Sequence, residues 1–300
     1  MQPVNLRIVR NDGEEFRIDN ERWLIPNDGL EGWAELDYGV ETSEYAAYDG
    51  GIVTSRRVNV RDRSVTAVLA DWRENATARA EAIRFFSPAH TYAAHLTYQG
   101  RTRWCEGVQY AFKCSAGNVY EPIQIDWTVL SPMPYLLSED GYGKDIAEVV
   151  PKFGFPHMSA IDRVGSDSAP THQRGFQTGL SVLANEATVD NDGDVPAPCS
   201  FTIKAHGDAS SITLKREGET FAYLTVNADV EDGDVLAIDL STLPPTFELN
   251  GKDVSNLVAV GSTIGDMSLE VGRNRLSYSA TSGESNLSVI VRFYKRYLGV

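Results

Sequence analysis

The chain has 300 residues, 42% hydrophobic and 23% charged, the composition of a folded globular protein and length enough for two ordinary domains or one large all-β domain. Its 27 Lys and Arg against 42 Asp and Glu leave a formal charge of −15, which argues against a protein that grips nucleic acid or an anionic membrane through bulk charge. No apolar run reaches bilayer-spanning length and Met1 to Arg10 lacks the apolar segment of a signal peptide, so folding in the cytoplasm and no membrane insertion are expected.

Asn5 to Arg10 reads as a first strand with Leu6 and Ile8 on one face, and Asn11-Asp12-Gly13 as the turn into a return strand, Glu14 to Ile18. Trp23 to Tyr48 is rich in Gly and acid with scattered aromatics, and reads as loops or an extended arm. Trp23 and Trp33 are hard to place in a core from such a stretch, so they are expected as exposed anchors toward a neighbouring copy or a tube. Ile52 to Asp71 reads as a strand region. Arg57, Arg61 and Arg63 are expected on one face, suited to paired contacts with a neighbour's acidic loop at Glu31 to Glu44. Val65, Ala67 and Leu69 continue the alternation. Arg73 to Phe86 is the one convincing helix, with Asp71 or Asn75 as cap, Ala76, Ala80, Ile83 and Phe86 at helical spacing, and Pro88 beyond its end.

Tyr92 to Tyr98 and Arg101 to Tyr110 read as strands joined at Gln99-Gly100, and Ile123 to Leu130 as another, with Ile123, Ile125 and Trp127 on one face. Ser131-Pro132-Met133-Pro134 breaks the sheet. The expected domains are 1–135, 136–184 as linker or insertion, and 185–300. In the last of these, Cys199 to Lys204, Ser211 to Lys215, Phe221 to Val226 and Val235 to Leu240 are short β-rich runs between Gly- and Asp-rich turns, and Ser285 to Tyr297 closes the set. The fold class is therefore mainly β, with one helix in the first domain.

No arrangement of chemistry-bearing residues stands out. Asp190, Asp192 and Asp194 alternate like calcium ligands, but Gly falls fourth rather than sixth and Phe201 holds the twelfth place, so a solvated turn is the better reading. The histidines at 90, 95, 157, 172 and 206 have no paired metal spacing, and no G-x-S-x-G or phosphate loop occurs. Cys105 and Cys114 read as facing each other across a hairpin, and three cysteines without C-x-x-C give neither a disulfide framework nor a zinc site. No catalytic residue, metal or cofactor is assigned, and the second half shows no aromatic set that reads as a sugar platform.

The order of features is more specific than any one of them: a helix before "FFSP", the hairpin "YQGRTRWCEGV", the break "SPMPYL", then "NDGDVPAPCSFTIKAHG", "DGDVLAIDLS" and "LEVGRNRLSYSA". Together these resemble the distal tail protein family of long-tailed bacteriophages. The resemblance implies an N-terminal ring-forming domain and a galectin-like C-terminal β-sandwich, in a virion component that is not an enzyme. It implies a homo-hexamer between the tail-tube protein and a tail hub or tail-associated protein, with receptor-binding proteins as further partners and DNA only in transit. Two rival readings remain, a carbohydrate-binding β-sandwich module of an adhesion protein and a tail-associated hydrolase.

Overall fold

In a computed structural model of the chain, residues 4–35, 37–46, 48–115, 118, 120–147 and 185–300 are described. The strands follow in order as β1 (Asn5–Arg10), β2 (Glu15–Ile18), β3 (Trp23–Leu24), β4 (Leu30–Glu31), β5 (Tyr38–Glu44), β6 (Gly51–Val58) and β7 (Arg61–Leu69). A helical turn, Trp72–Glu74, leads into α1 (Asn75–Phe85), followed by β8 (Thr91–Tyr98), β9 (Arg101–Cys114), β10 (Gln124–Ser131), β11 (Leu136–Ser138) and β12 (Tyr142–Ala147). After residue 184 come β13 (Glu186–Asn191), β14 (Cys199–Ala205), β15 (Ala209–Glu217), β16 (Phe221–Val230) and β17 (Val235–Asp239). The last are β18 (Thr246–Leu249), β19 (Lys252–Asp253), β20 (Gly272–Ser282), β21 (Leu287–Phe293) and β22 (Arg296–Tyr297).

The chain divides into two compact units. The first comprises 1–142, 192–197 and 294–300, and the second 143–191 and 198–293. The expected partition at 135 and 185 differs from this at the short returns 192–197 and 294–300, which pack in the first unit. The expected linker carries β11 and β12 at its start and lies outside the described residues from 148 onward.

In the first unit a sheet runs β2-β1-β8-β9-β10-β7-β3, with β4, β11 and β22 attached at its sides. Period-two alternation sets its register. Leu6 lies opposite Ile18, Ile8 opposite Phe16, Val65 opposite Trp127 and Ala67 opposite Ile125, all buried. Gln99 and Gly100 both have positive φ, 50° and 78°, as a two-residue turn between β8 and β9 requires. The Asp71 carboxylate accepts the Arg73 N–H and starts the helical turn. The buried face of α1 is Ala78, Ala82 and Phe85, two positions out of phase with the expected Ala76, Ala80 and Ile83. Ile83 is exposed, and two of these three interior residues are alanines that let the helix lie close to the sheet. The "FFSP" corner then turns aromatics inward. Phe86 stacks on Phe112 at 4.8 Å, and the Tyr92 hydroxyl donates to the carbonyls of Ser87 at 2.6 Å and Phe85 at 3.1 Å.

The C-terminal return is fastened to the first unit. Leu136 pairs with Tyr297 and Leu137 with Arg296, while the Ser138 N–H donates to the Lys295 carbonyl at 3.0 Å. Arg103 lies 3.8 Å from the Tyr297 ring centroid, and Lys295 lies 3.6 Å from that of Tyr142 and pairs with Asp192. The final long strand, β21, stays in the second unit beside β14 before the chain returns.

The second unit is a β-sandwich of two antiparallel sheets, β12-β21-β14-β17-β18-β19 and β13-β20-β15-β16. One inner face is Phe201, Ile203, Leu236, Ile238, Val289 and Val291. The other is Ile212, Leu214, Leu224, Val226, Leu276 and Tyr278. Arg216 breaks this apolar pattern and is fully buried. It donates to the Asp266 carbonyl at 2.7 Å and pairs with Glu270 at 2.9 Å, and Glu270 accepts from Thr220 and from the Glu219 N–H. That network ties the 266–270 loop to β15. Thr220 and then other partners hold the Glu270 carboxyl below its usual range despite partial burial.

Candidate assembly surface

Five side chains were expected to face a neighbour, and four of them face the interior. Trp23 and Trp33 are each 1% exposed. Trp23 lies in β3 opposite Leu69, 5.7 Å from Phe16, and Trp33 donates its indole N–H to the Ser64 carbonyl at 3.2 Å. The stretch that carries them is Gly- and acid-rich because it crosses β7 in short pieces. The Gly29 N–H, for example, donates to the Pro26 carbonyl, and the Gly29 carbonyl accepts from Thr66. The expectation of exposed tryptophan anchors on an arm is therefore corrected.

The row of arginines is broken as well. A kink at Asn59-Val60 separates β6 from β7, so Arg57 sits on one strand and Arg61 and Arg63 on another. Arg61 and Arg63 share odd parity with Val65, Ala67 and Leu69, and therefore turn inward with them. The Arg63 guanidinium donates to the Pro134 carbonyl at 2.7 Å, with the Trp33 ring centroid 6.0 Å away. Arg61 donates to the Leu298 carbonyl at 3.1 Å. Burial lowers both guanidinium pKa values from their ordinary range. Repulsion from Arg63 adds to the effect on Arg61, while the neighbouring Cys105 partly opposes it on Arg63. Burial in turn raises the Cys105 thiol. Cys105 and Cys114 lie on the same strand, β9, rather than facing each other, and both are free.

Arg57 alone of the five stands in solvent, and it stands on the feature that the expected arm became. Strands β5 and β6 form a two-stranded ribbon that pairs with no other strand among the described residues. Tyr38 lies opposite Val58, Gly39 opposite Arg57, Val40 opposite Arg56 and Ser43 opposite Ile52, with a bulge after Glu41. The base is closed by Asn59, whose N–H donates to the Asp37 carbonyl at 3.0 Å and whose side-chain amide reaches the Asp37 carboxylate at 3.1 Å. Gly39 leaves room for the Arg57 side chain to lie across it, since a Cβ there would meet Arg57 Cγ at 3.2 Å.

One face of the ribbon presents Tyr38, Val40, Val53 and Val58, the bulge having changed the phase of β6. The other carries Ile52, Glu41 and Arg57, and the tip carries Tyr45 and Tyr48. These side chains are mostly in water, and Tyr48 is 82% exposed. A two-stranded hairpin is marginal in isolation, and contiguous exposed apolar side chains on such an element mark a contact surface. The sequence signal was present in Tyr38, Val40, Ile52 and Val53, β-formers flanking a Gly-rich turn at Asp49-Gly50-Gly51. The tryptophans drew attention away from it.

Asp192 and Asp194 are taken up by local structure, Asp192 by Lys295 and Asp194 by the Leu298 N–H at 2.9 Å. No group of three metal-binding side chains occurs among the described residues.

Comparison with known proteins gives the architecture its family. Residues 192–297 match the family model of the siphovirus-type tail component, C-terminal domain. That stretch is thus a siphovirus-type tail component C-terminal domain. Likeness of fold extends along the whole chain. It superposes on the crystal structure of Dit of phage SPP1, described as a paradigm of the hub adsorption apparatus in phages infecting Gram-positive hosts, with TM-score 0.62, 14% identity, and 98% of this chain and 99% of that one covered. A chain of the phage p2 baseplate in its activated conformation with Sr matches with TM-score 0.52 and 8% identity over 99% and 100% of the two chains. The corresponding structure with Ca gives TM-score 0.50 and the same identity and coverage. At these identities the structural likeness speaks to the fold. No curated protein matches the chain. The chain thus carries a tail-component domain in its C-terminal part and shares its fold over its length with Dit of phage SPP1.

Proposed function

We propose that this chain is a structural component of the phage tail and baseplate of the distal-tail type, that it closes into a ring of six copies in the virion, joined head to tail by one repeated heterologous contact, and that the ring joins the tail tube to the hub or fibre with a central passage for DNA. The single observation that supports the reading is the ribbon β5–β6. It presents apolar and aromatic side chains on both faces and at its tip, and pairs with no third strand among the described residues. A contact used once as donor and once as acceptor on every copy generates a ring when the rotation closes. Each such contact needs about 1,000 Å² to be specific and lasting, which an extended ribbon supplies more readily than a flat loop.

The first unit, expected as residues 1–135, forms the annulus and mates with the tail-tube protein and the hub or tail-associated protein. The second unit serves as a docking module for receptor-binding proteins. Assembly takes place in the host cytoplasm. The work is geometric and requires no bond to be made or broken, no metal and no cofactor. A charge of −15 per copy, repeated around the ring, disfavours retention of a passing phosphate backbone. Electron microscopy of the purified chain mixed with tail-tube protein tests the reading. Rings of six capping the tube ends are expected. Uncapped tubes beside monomers at every concentration would overturn it.

A further inference from the structure

The outward face of the sheet β13-β20-β15-β16 carries a feature that the assembly role does not use. Phe221 and Tyr223 are two residues apart on β16, so both point outward. Phe221 is 58% and Tyr223 36% exposed. Their ring centroids are 6.3 Å apart with an interplanar angle of 33°, which makes an open aromatic strip at one side of the sheet. Strand register extends each ring into a row of polar groups. Tyr223 lies opposite Lys215, which lies opposite Ser277, and Phe221 lies opposite Glu217, which lies opposite Arg275. Arg275 is fixed between two carboxylates, donating through Nε to Glu186 at 2.7 Å and lying 3.6 Å from Glu217. Beyond Tyr223 the Thr213 and Thr225 hydroxyls meet at 2.9 Å.

The geometry points to a binding platform for a neutral saccharide. A pyranose has an apolar face of C–H groups and a rim of hydroxyls. The two rings offer a surface for the first, and the charged and hydroxyl rows offer donors and acceptors for the second. Three features of the face select this occupant. Its cations Lys215, Arg273 and Arg275 stand among the carboxylates Glu186, Asp190, Glu217 and Asp229, so the signs are interspersed and it offers little field to attract an acidic or basic peptide. Its exposed apolar side chains are these two rings, with Val260 exposed on the neighbouring 258–263 segment, an area short of the contiguous core that a protein interface needs. Strand addition is blocked along the same edge, because the 258–263 segment already occupies it. The Ala259 N–H donates to the Thr225 carbonyl at 2.8 Å and the Thr263 N–H to the Tyr223 carbonyl at 2.8 Å. The same segment sets Gly261 beside the Tyr223 hydroxyl, where a Cβ would come within 3.4 Å. A glycine there leaves the Tyr223 ring edge open. In the sequence the two aromatics flank Ala222 in an ordinary strand pattern, and nothing marks them as a pair until the register shows which face they share.

The test applies the full-length chain to a printed array of bacterial cell-surface polysaccharides and neutral oligosaccharides. Wild type is expected to be retained on at least one neutral saccharide, and the F221A/Y223A variant to lose at least tenfold of that signal. S277R leaves both rings in place and obstructs the row beside them, and is expected to lose binding as well, so the result does not depend on one variant folding. No retention of wild type on any neutral saccharide overturns the proposal, as does equal retention of wild type and both variants. Ring assembly is read separately and is expected to be unchanged in both variants.

Discussion

The ribbon Tyr38–Val58 and the strand Arg61–Leu69 are neighbours in sequence and opposites in fate. Both are β-structure and both mix arginine with aliphatic residues. The ribbon holds Val40, Ile52 and Tyr48 in water, whereas the strand buries Arg61 and Arg63. Residue type alone misleads about which will be inside. Burial follows the phase of the strand and whether a second layer covers it. β7 has β10 on one side, β3 and β4 on the other, and the unit's apolar core against its odd-numbered face. The ribbon has only itself.

The largest effect expected from breaking this comparison lies with the tryptophans. Trp33→Ala or Trp23→Ala removes a fully buried indole from the β7 side of the core and is expected to lower stability by about 3–5 kcal/mol. Tyr48→Ala at the ribbon tip is expected to change it by less than about 0.5 kcal/mol. Chemical denaturation of the three variants checks the order, and equal losses at Trp33 and Tyr48 would break it.

Next in size is a contrast between two buried arginines. Arg216 has a carboxylate partner in Glu270, so R216A strands that partner and is expected to cost about 3 kcal/mol in the second unit. Arg63 is bound by a carbonyl and faces no carboxylate in an ion pair, so R63M, which fills similar space without a charge to desolvate, is expected to lie within about 1 kcal/mol of wild type. A large loss from R63M would show that the guanidinium supports the fold in its own right.

The smallest effect is electrostatic. Lys295 holds the Asp192 carboxyl below its usual range, and the lowered folded pKa means its contribution is present above the unfolded pKa and fades as pH falls through the folded one. Asp192 is largely exposed, so screening keeps the contribution below about 1 kcal/mol. D192N is expected to lower stability in the neutral region by that amount and to leave it little changed at low pH, where the carboxyl is protonated, so that the acid limb of the profile flattens. Added salt is expected to diminish the difference.

Much of the fold was legible in the residues. β1, β8, β10 and the Gln99-Gly100 turn follow from alternation and glycine chemistry, and the sandwich half follows from its short β-rich runs between acidic turns. The face of α1 was read two positions out, because Ala76, Ala80 and Ile83 make as good a helical stripe as Ala78, Ala82 and Phe85 and only packing decides. The returns at 192–197 and 294–300 were not legible, since no local pattern shows that a chain leaves a unit and comes back. The assembly surface was half legible. Only the first strand of the ribbon, Tyr38–Glu44, falls within the stretch expected as an arm, whereas Trp23 and Leu30 of that stretch pack against β7. The parity of Arg61 and Arg63 with Val65 was available in the sequence, and a strict count along the strand would have turned them inward.

The central claim is that the unpaired ribbon joins copy to copy. The most direct measurement is the mass of the full chain by light scattering, set beside that of a V40D/V53D variant whose two substitutions share one exposed face of the ribbon. The account predicts an assembly of six for wild type at high concentration and a monomer of unchanged melting temperature for the variant. A variant that assembles as wild type does would contradict it.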